Sequence, residues 1–417
     1  MIFLEVKMDQ VKTLKCVLCQ REYGPQEVEY TCPLCGNAGI LEVLYDYDKV
    51  SKRISKESLA KNSDYSIWRY RPLLPIKEDS PTPPLHVGWT PLYPAFRLRR
   101  KLELPGLYIK DDGRNPTASL KDRASAVGII KALERGAHEV TCASTGNAAS
   151  SWAGVAASLG LKSYIFVPQT APQAKLAQLL IFGARIFPIK GSYDQAFDLC
   201  IEASRKFGWY NRNTAYNPYL VEGKKTVALE IAEQLNWEVP DKVFVSVGDG
   251  CILSGVFKGF ADLFHLGWIE RVPQVFGVQA EGAAPLYRAW KNRKPLEPVE
   301  PKTIADSISV GIPRNGVMAL RDLYRWEGRM VTVTDEEILE AMRILGQESG
   351  VFGEPAGVAS LAGLIKALRE GMVEKKDKVV VIITGNGLKD VSAALHAVSM
   401  PEAIDPTLES VEQALKR

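Results

Sequence analysis

Short apolar runs alternate with longer helical patterns through most of the chain. Runs rich in β-branched residues predict strands at 139–143, 162–167, 185–190, 242–247, 274–279 and 378–383. Helical patterns lie between and after them, at 148–159, 172–182, 192–207, 222–236, 252–265, 335–349 and 355–370. This alternation is typical of parallel sheets covered by helices on both faces. The pattern therefore predicts an α/β fold with open parallel or mixed sheets.

The first quarter of the chain has a different pattern. Residues 1–12 predict a short strand and lack the apolar core of a signal peptide. Residues 46–70 are polar and helical in character, and the proline-rich stretch 71–94 predicts an extended linker that wraps the main body. No run of about 18 apolar residues occurs, so we expect no membrane span and a cytoplasmic protein.

Length and charge narrow the class of protein. A chain of 417 residues is longer than one core usually covers, so two large lobes with an appendage are expected. The 52 Lys and Arg residues against 49 Asp and Glu give a net charge of +3, which is too small to indicate a nucleic-acid partner.

Cysteines cluster near the N-terminus. Four of the seven form two CxxC pairs within the first 35 residues: Cys16, Cys19, Cys32 and Cys35. This spacing can place four thiolates around one tetrahedral Zn²⁺ ion. The alternatives are two disulfides, which the cytosol disfavours, or free thiols. Because so small a unit hardly folds without metal, we expect a structural zinc ribbon over residues 1–45.

Three glycine-containing turns follow predicted strands, where ligands bind in sheets of this kind. They lie at 142–150, 246–255 and 383–390. Each alone is equally typical of an ordinary loop. The sequence contains neither a Walker A motif nor a clean GxGxxG fingerprint, which argues against a kinase and a nicotinamide dehydrogenase.

The segment 115–123, with the sequence NPTASLKDR, carries the candidate nucleophile. One interpretation is an ordinary helix start, with Ser119 as the N-cap and a solvated first turn. However, a cation such as Lys121 has the wrong sign for a helix N-terminus. The helix dipole and partial burial would lower the pKa of Lys121 and make a neutral amine available, as an aldehyde cofactor requires.

This segment resembles the pyridoxal-phosphate lysine motif of the tryptophan-synthase-β-like enzymes, which have the fold type II architecture. Three further segments resemble motifs of the threonine synthases within that superfamily: 88–92 (GWTPL), 144–147 (STGN) and 384–390 (TGNGLKD). The motifs occur in the family's order, and the resemblance runs from about residue 85 to residue 398. The cysteine ribbon lies outside it, although some members carry a similar knuckle.

The resemblance implies roles for individual residues. Lys121 would bind pyridoxal 5'-phosphate covalently and then move protons at Cα and Cβ of the substrate. Asn147 would hydrogen-bond the cofactor's phenolic oxygen. The substrate carboxylate would be held by Ser144, Thr145, Gly146 and Asn147.

The cofactor's phosphate and ring nitrogen would be held by the later turns. The implied phosphate loop is Val247, Gly248, Asp249, Gly250, Cys251 and Ile252. Thr384 would face the pyridine nitrogen and leave it largely unprotonated, which suits elimination or replacement more than transamination.

Three residues depart from the family pattern. Leu220 occupies the position of the arginine expected to bind the phosphate of O-phosphohomoserine, and Asp249 places a carboxylate in the phosphate loop. Asn386 stands where the family usually has histidine. A phosphate site in this region would need Arg212, Lys224, Lys225 or a residue from elsewhere.

Three functions remain open at this point. The first is a threonine synthase that converts O-phospho-L-homoserine and water to L-threonine and phosphate. The second is another β-elimination or β-replacement enzyme, such as a serine/threonine dehydratase or a cysteate-synthase-like enzyme. The third is a zinc-ribbon binding protein on an inactive scaffold, against which Lys121 and Asn147 argue.

The expected organisation places the small lobe within the large one. We expect a zinc ribbon at 1–45, a linker and the first part of the large pyridoxal-phosphate domain at 46–124, a small mobile domain at 125–220 and the remainder of the large domain at 221–417. The small domain would close over a small-molecule amino-acid substrate, and the protein would be a homodimer.

Overall fold

An antiparallel ribbon begins the computed structural model, which describes residues 8–171 and 173–416, without the side chains of 173–175. Its strands are β1 (Val11–Cys16), β2 (Glu22–Tyr23) and β3 (Leu41–Tyr45), in the order β2-β1-β3. The strand expected at 1–12 lies mostly outside the described residues, and the regular strand begins at Val11.

The segment after the ribbon has little regular structure. It contains α1 (Tyr47–Ser51), α2 (Lys56–Ala60) and a 3₁₀ turn at Ile67–Leu73. Residues 74–91 form neither helix nor strand, as their prolines predict.

Within the described residues, ten strands form the sheets of the main body. They are β4 (Leu92–Tyr93), β5 (Leu107–Asp111), β6 (Glu139–Ala143), β7 (Lys162–Pro168), β8 (Arg185–Ile189), β9 (Tyr210–Asn211), β10 (Lys242–Ser246), β11 (Gln274–Ala280), β12 (Arg329–Val333) and β13 (Val379–Ile383). The larger sheet has the order β12-β11-β10-β13-β5-β4 and is parallel except for its edge strand β4. The smaller sheet has the order β8-β7-β6-β9 and is parallel throughout.

Helices cover these sheets. The larger ones are α3 (Phe96–Lys101), α4 (Lys121–Glu134), α5 (Asn147–Ser158), α6 (Gln173–Ile181), α7 (Tyr193–Phe207), α8 (Tyr219–Lys224), α9 (Thr226–Gln234), α10 (Cys251–His265), α11 (Pro285–Asn292), α12 (Gly316–Arg325), α13 (Asp335–Ser349), α14 (Pro355–Arg369), α15 (Val391–Ala397) and α16 (Leu408–Ala414). No helix within the described ranges is long and apolar enough to cross a membrane.

The α/β fold predicted from the alternation is confirmed. All six predicted strands are present, with ends shifted by one residue at most. The single helix expected at 222–236 is wrong, because the chain forms α8 and α9 with a break at Lys225. β5 was not predicted because Lys110 and Asp111 interrupt its apolar pattern, although both side chains are buried. The domain boundaries stay a prediction.

Buried apolar residues form separate clusters on the faces of the sheets. One cluster joins the ribbon to the face of the larger sheet covered by α10, and a second lies on the opposite face beneath α13 and α14. A third lies around the smaller sheet, between α5 and α7. The two parallel sheets thus have their own cores, and their strand ends meet at a cleft.

Candidate active site

A cavity of about 450 Å³ lies at the carboxyl ends of β6, β10 and β13. It is lined by every residue that the sequence assigns to cofactor or substrate: Lys121, Ser144, Thr145, Gly146, Asn147, Val247, Gly248, Asp249, Gly250, Cys251, Ile252 and Thr384. Residues 306–312, Thr214, Lys224 and Glu354 are also among the lining residues. Lys121 and Thr384, which are 263 positions apart in sequence, therefore share one site.

Lys121 is the first residue of α4 and is half-buried. The preceding turn is fixed to the end of β13, because Leu120 N donates to Thr384 O at 2.9 Å and Asn386 N donates to Ala118 O at 3.0 Å. Burial lowers the pKa of the Lys121 ammonium, and the nearby charge of Arg212 lowers it further. The result is the weakly basic amine that the sequence suggested.

The expectation that Ser119 caps this helix is wrong. The N-cap position belongs to Leu120, and no side chain caps the helix. The backbone of Ser119 pairs instead with Gly385, and its buried hydroxyl makes no hydrogen bond to any described residue. The nearby Asp122 carboxylate binds Thr117, accepting from its backbone N at 2.7 Å and from its Oγ1 at 2.6 Å.

Asn147 begins α5 at the edge of the cavity. Gly146 precedes it in an extended conformation, with no side-chain cap, so the first amides of the helix are available to an anion. The Asn147 Nδ2 donates to Glu354 Oε1 at 2.6 Å. Glu354 was not predicted from the sequence, and its only signal is its position before Pro355 at the start of α14.

Gly385 makes room for this contact. A Cβ at position 385 would lie 2.1 Å from Glu354 Oε1 and 3.2 Å from Asn147 Nδ2. The glycine of the third turn is therefore needed for the close approach of Glu354, a packing reason independent of backbone freedom.

The loop before α10 is a second uncapped helix start. Gly250 has a φ of +90°, and a Cβ there would lie 2.8 Å from the Cβ of Ala319. The Asp249 carboxylate accepts from Arg314 N at 3.2 Å, and its backbone carbonyl accepts from Asn315 N at 3.1 Å. Burial raises the pKa of this carboxyl, which weakens its repulsion of an anion in the loop.

These groups fit pyridoxal phosphate. The α10 N-terminus offers backbone amides and a positive dipole end to its phosphate, and Lys121 offers an amine to its aldehyde. The buried Thr384 offers a hydroxyl to its ring nitrogen.

The cationic residues near Leu220 have distinct environments. Leu220 is fully buried on α8 and does not line the cavity; its Cδ2 lies 3.0 Å from where a Cβ on Gly128 would be. Lys225 points away, and its Nζ lies 2.7 Å from Glu222 and 2.6 Å from Asp262. Lys224, four residues after Leu220, lines the cavity. Its pKa is lowered to about 7, mainly by burial.

The four N-terminal cysteines form a separate cluster. Their Sγ atoms all lie within 4.8 Å of one another, and Sγ of Cys19 lies 3.7 Å from Sγ of Cys32. A tetrahedral zinc with Zn–S bonds of about 2.3 Å places sulfurs about 3.8 Å apart. The chain's seven cysteines, all within the described residues, form no disulfide. The cluster thus fits a zinc ion.

Polar contacts near the cavity join the two sheet regions. Arg314, whose backbone N donates to Asp249 in the loop before α10, pairs with Asp194 at the start of α7. Lys389 Nζ donates to Gln178 Oε1 on α6 at 2.5 Å and to Thr117 O at 3.1 Å. These contacts hold the smaller sheet region against the larger one.

Comparisons with known proteins agree with this geometry. Residues 84–385 match the family described as pyridoxal-phosphate dependent enzyme. The threonine synthase of Methanocaldococcus jannaschii is 40% identical over 405 residues, which cover 96% of this chain and 99% of the relative. That of Methanosarcina acetivorans is 38% identical over 405 residues, covering 96% of this chain and 98% of the relative.

Solved structures show the same fold. The processed form of threonine deaminase isoform 2 from Solanum lycopersicum is 23% identical, with a TM-score of 0.65, over 75% of this chain and 88% of its own. Maize serine racemase is 19% identical, with a TM-score of 0.63, over 78% of this chain and 91% of its own.

The fold and the cavity are those of a fold type II pyridoxal-phosphate enzyme. The chain belongs to the pyridoxal-phosphate dependent enzyme family and, within it, to the threonine synthase-like lyases.

Proposed function

We propose that the protein converts O-phospho-L-homoserine and water to L-threonine and phosphate. The observation that carries this proposal is the cavity itself, in which the Lys121 amine, two uncapped helix N-termini and the buried cation Lys224 converge. A substrate with both a carboxylate and a phosphate matches this arrangement, in addition to the cofactor's own phosphate. The 40% identity to a threonine synthase over 96% of the chain supports the same reaction.

The cofactor, when bound, supplies an electron sink for the α carbon of the amino acid. Lys121 would hold it covalently between turnovers and, once released, would move protons at Cα and Cβ of the substrate. A lowered pKa suits this role, because the neutral amine can accept a proton near neutral pH.

The remaining lining residues would bind and orient. Asn147 and Thr384 would hydrogen-bond the cofactor ring, and the loop 247–252 would hold its phosphate by backbone amides. The hydroxyls of Ser144 and Thr145 and the amides that follow Gly146 would bind the substrate carboxylate. The Arg314–Asp194 contact would keep the cavity closed to stray water during the reaction.

The ribbon and the assembly complete the proposal. Cys16, Cys19, Cys32 and Cys35 would bind one structural zinc, as their sulfur spacing supports. The expectations of a cytoplasmic location and of a homodimer stay predictions.

A second candidate is a dehydratase or a β-replacement enzyme, such as a cysteate-synthase-like activity. It is favoured by Leu220, an apolar residue at the position of the expected phosphate-binding arginine. The Lys224 side chain argues against it, because it brings a cation to the cavity from the same helix.

Product analysis distinguishes these functions. Purified holoenzyme is incubated separately with O-phospho-L-homoserine, L-serine and L-threonine, and phosphate, threonine, ammonia and 2-oxo acids are measured. We expect equimolar phosphate and threonine from phosphohomoserine, with Lys121→Ala as the inactive control. Ammonia and a 2-oxo acid from serine or threonine, without threonine from phosphohomoserine, would establish the second candidate. An inactive scaffold would show no cofactor absorbance band.

A further inference from the structure

Lys224 is a buried cation with few partners. Lys224 is only 2% exposed, and it lines the active-site cavity. Among the described residues, its ammonium makes one hydrogen bond, a long one of 3.5 Å to Leu220 O. An ammonium has three donors, so most of its hydrogen-bonding capacity is unused. Such a group is costly to bury unless an anion completes its environment.

Arg212 is a second buried cation beside the first. Its residue is 1% exposed, and its Nη1 donates to Thr214 Oγ1 at 3.4 Å. Its Nε and Nη2 make no hydrogen bond within the described part of the chain. Cys142 lies next to it, but burial raises the pKa of that thiol to about 11, which leaves a neutral and weak acceptor. The guanidinium therefore keeps at least two donors unused.

The two cations act on the same region of the cavity. The charge of Arg212 lowers the pKa of both Lys121 and Lys224. Thr214, which binds Arg212, lines the cavity. The carboxylate of Asp249 lies nearby, but it is held by Arg314 N, and burial raises its pKa. Glu354 also acts on Lys121, but no carboxylate within the described residues forms an ion pair with Lys224 or Arg212.

The cofactor would have an anion site of its own. Its phosphate would be met by the backbone amides of the loop before α10. Lys224 reaches the cavity beside the second turn of α10, because a Cβ on Gly255 would lie 2.8 Å from the Lys224 Cβ. The small residue at 255 lets α8 approach α10, so the Lys224 side chain enters the cavity from α8, beside the loop's own helix.

We infer that Lys224 and Arg212 form a second phosphate site, which binds the phosphate monoester of the substrate in place of the arginine absent at position 220. Lys224 lies one helical turn after Leu220, on the same face of α8, so the cation has moved by one turn along the helix. This inference rests on the proposed function, whose substrate carries that phosphate.

Binding measurements test the inference without catalysis. The probe is the phosphonate analogue of phosphohomoserine, in which a methylene group replaces the ester oxygen and no phosphate can leave. L-2-aminobutyrate, which lacks the phosphoryl group, is the reference ligand. Both are titrated into holoenzyme by calorimetry, and the cofactor's dissociation constant is measured separately by absorbance.

Loss of either cation should affect only the phosphonate. We expect Lys224→Gln and Arg212→Gln to weaken phosphonate binding about 10- to 100-fold and to leave aminobutyrate binding within about threefold, since one charge-assisted contact is lost. Lys224→Arg should restore most of the affinity. Lys302→Gln, which removes an exposed lysine next to the lining segment, should change neither ligand.

Other outcomes would overturn the inference. Equal weakening of both ligands in Lys224→Gln would indicate a general structural role. A weaker cofactor with unchanged phosphonate affinity would assign the two cations to the cofactor's phosphate. If Arg212→Gln does not fold, the Lys224→Gln and Lys224→Arg pair decides alone. If wild type binds the phosphonate through Lys224 but does not convert phosphohomoserine, the proposed function fails while this site stands.

Discussion

Tyr45, the last residue of ribbon strand β3, donates a hydrogen bond of 2.7 Å from its hydroxyl to Glu222 Oε2 on α8. Lys225 joins the same contact, with its Nζ 2.7 Å from Glu222 and 3.9 Å from the centre of the Tyr45 ring. Val17 and Ile40 of the ribbon belong to a buried cluster with Val221 and Cys251. The ribbon therefore packs directly on the helix that carries Lys224 and on the start of α10.

Loss of zinc should weaken substrate binding at the active site, because the ribbon contacts α8. We predict one zinc per chain, and we expect Cys16→Ser to release it and to loosen the ribbon. The Michaelis constant for phosphohomoserine should rise more than kcat falls, because α8 loses its support while Lys121 keeps its own. Metal analysis and steady-state kinetics measure both. Less than about half an equivalent of zinc in fresh protein would count against the site.

Tyr45→Phe tests the contact without touching the metal. Removing the hydroxyl leaves a buried carboxylate with one partner fewer, so we expect a loss of about 1–3 kcal/mol in the free energy of unfolding. Zinc content should remain unchanged. Urea denaturation measures the loss. Tyr65→Phe is the matched control, since that half-exposed side chain's hydroxyl makes no hydrogen bond to a described residue, and it should cost less than about 0.5 kcal/mol.

Lys121→Ala should abolish turnover. The loss of the proton-transferring amine alone costs about 10²–10⁴ in rate, and loss of covalent cofactor attachment adds to it. Borohydride reduction of wild type followed by peptide mapping should find the cofactor on Lys121. A label on Lys224, the other cavity lysine with a lowered pKa, would show that the assignment is wrong.

The sequence predicted the elements and the site loops better than it predicted the partners of individual charges. Apolar periodicity is a local signal, so six strands and most helices were identified, and the lining of the cavity followed from loops at strand ends. The contact of Asn147 with Glu354 joins residues 207 positions apart and leaves no local pattern. Lys110 likewise pairs with a distant residue, the buried Glu230. Because the sequence does not show this partner, the charge of Lys110 hides the strand pattern of β5.

Arg123, two residues after Lys121, holds the start of α4 to the body of the protein. Its Nε lies 2.7 Å from Asp112, and its Nη2 lies 2.8 Å from Glu230, with all three side chains fully buried. Burial alone would raise the pKa of Glu230, but Arg123 and Lys110 hold it down to about 2. Arg123→Met should therefore cost about 3–5 kcal/mol in unfolding free energy, because two buried carboxylates lose their main partner.

Chemical denaturation checks the cost of Arg123→Met. Arg343→Met provides the comparison, since Arg343 pairs with Glu340 on the protein surface and should lose about 1 kcal/mol or less. A loss below about 1 kcal/mol in Arg123→Met would contradict the role assigned to the buried network.

The charge of Lys224 should make phosphonate binding depend on pH. Burial is the main cause of its low pKa of about 7. The nearby cations Arg212 and Lys121 lower the pKa further, whereas the acidic groups Cys251 and Asp249 raise it. A phosphoryl dianion binds the protonated ammonium best, so affinity is full below the pKa of the free site and falls as pH rises above it. The cofactor's phosphate adds negative charge nearby and raises that pKa, so the fall begins at or above pH 7.

The measurement is the ratio of phosphonate to aminobutyrate affinity in holoenzyme from about pH 7.5 to 9. The ratio cancels titration of the amino group that both ligands share. Titration of the phosphonate itself is common to wild type and Lys224→Arg, so the ratio is compared between the two proteins. In wild type the ratio should fall by up to about tenfold per pH unit once Lys224 loses its proton. In Lys224→Arg this fall should be absent, because a guanidinium keeps its charge throughout. An equal fall in both proteins would show that another group carries the pH dependence and that Lys224 does not meet the phosphoryl group.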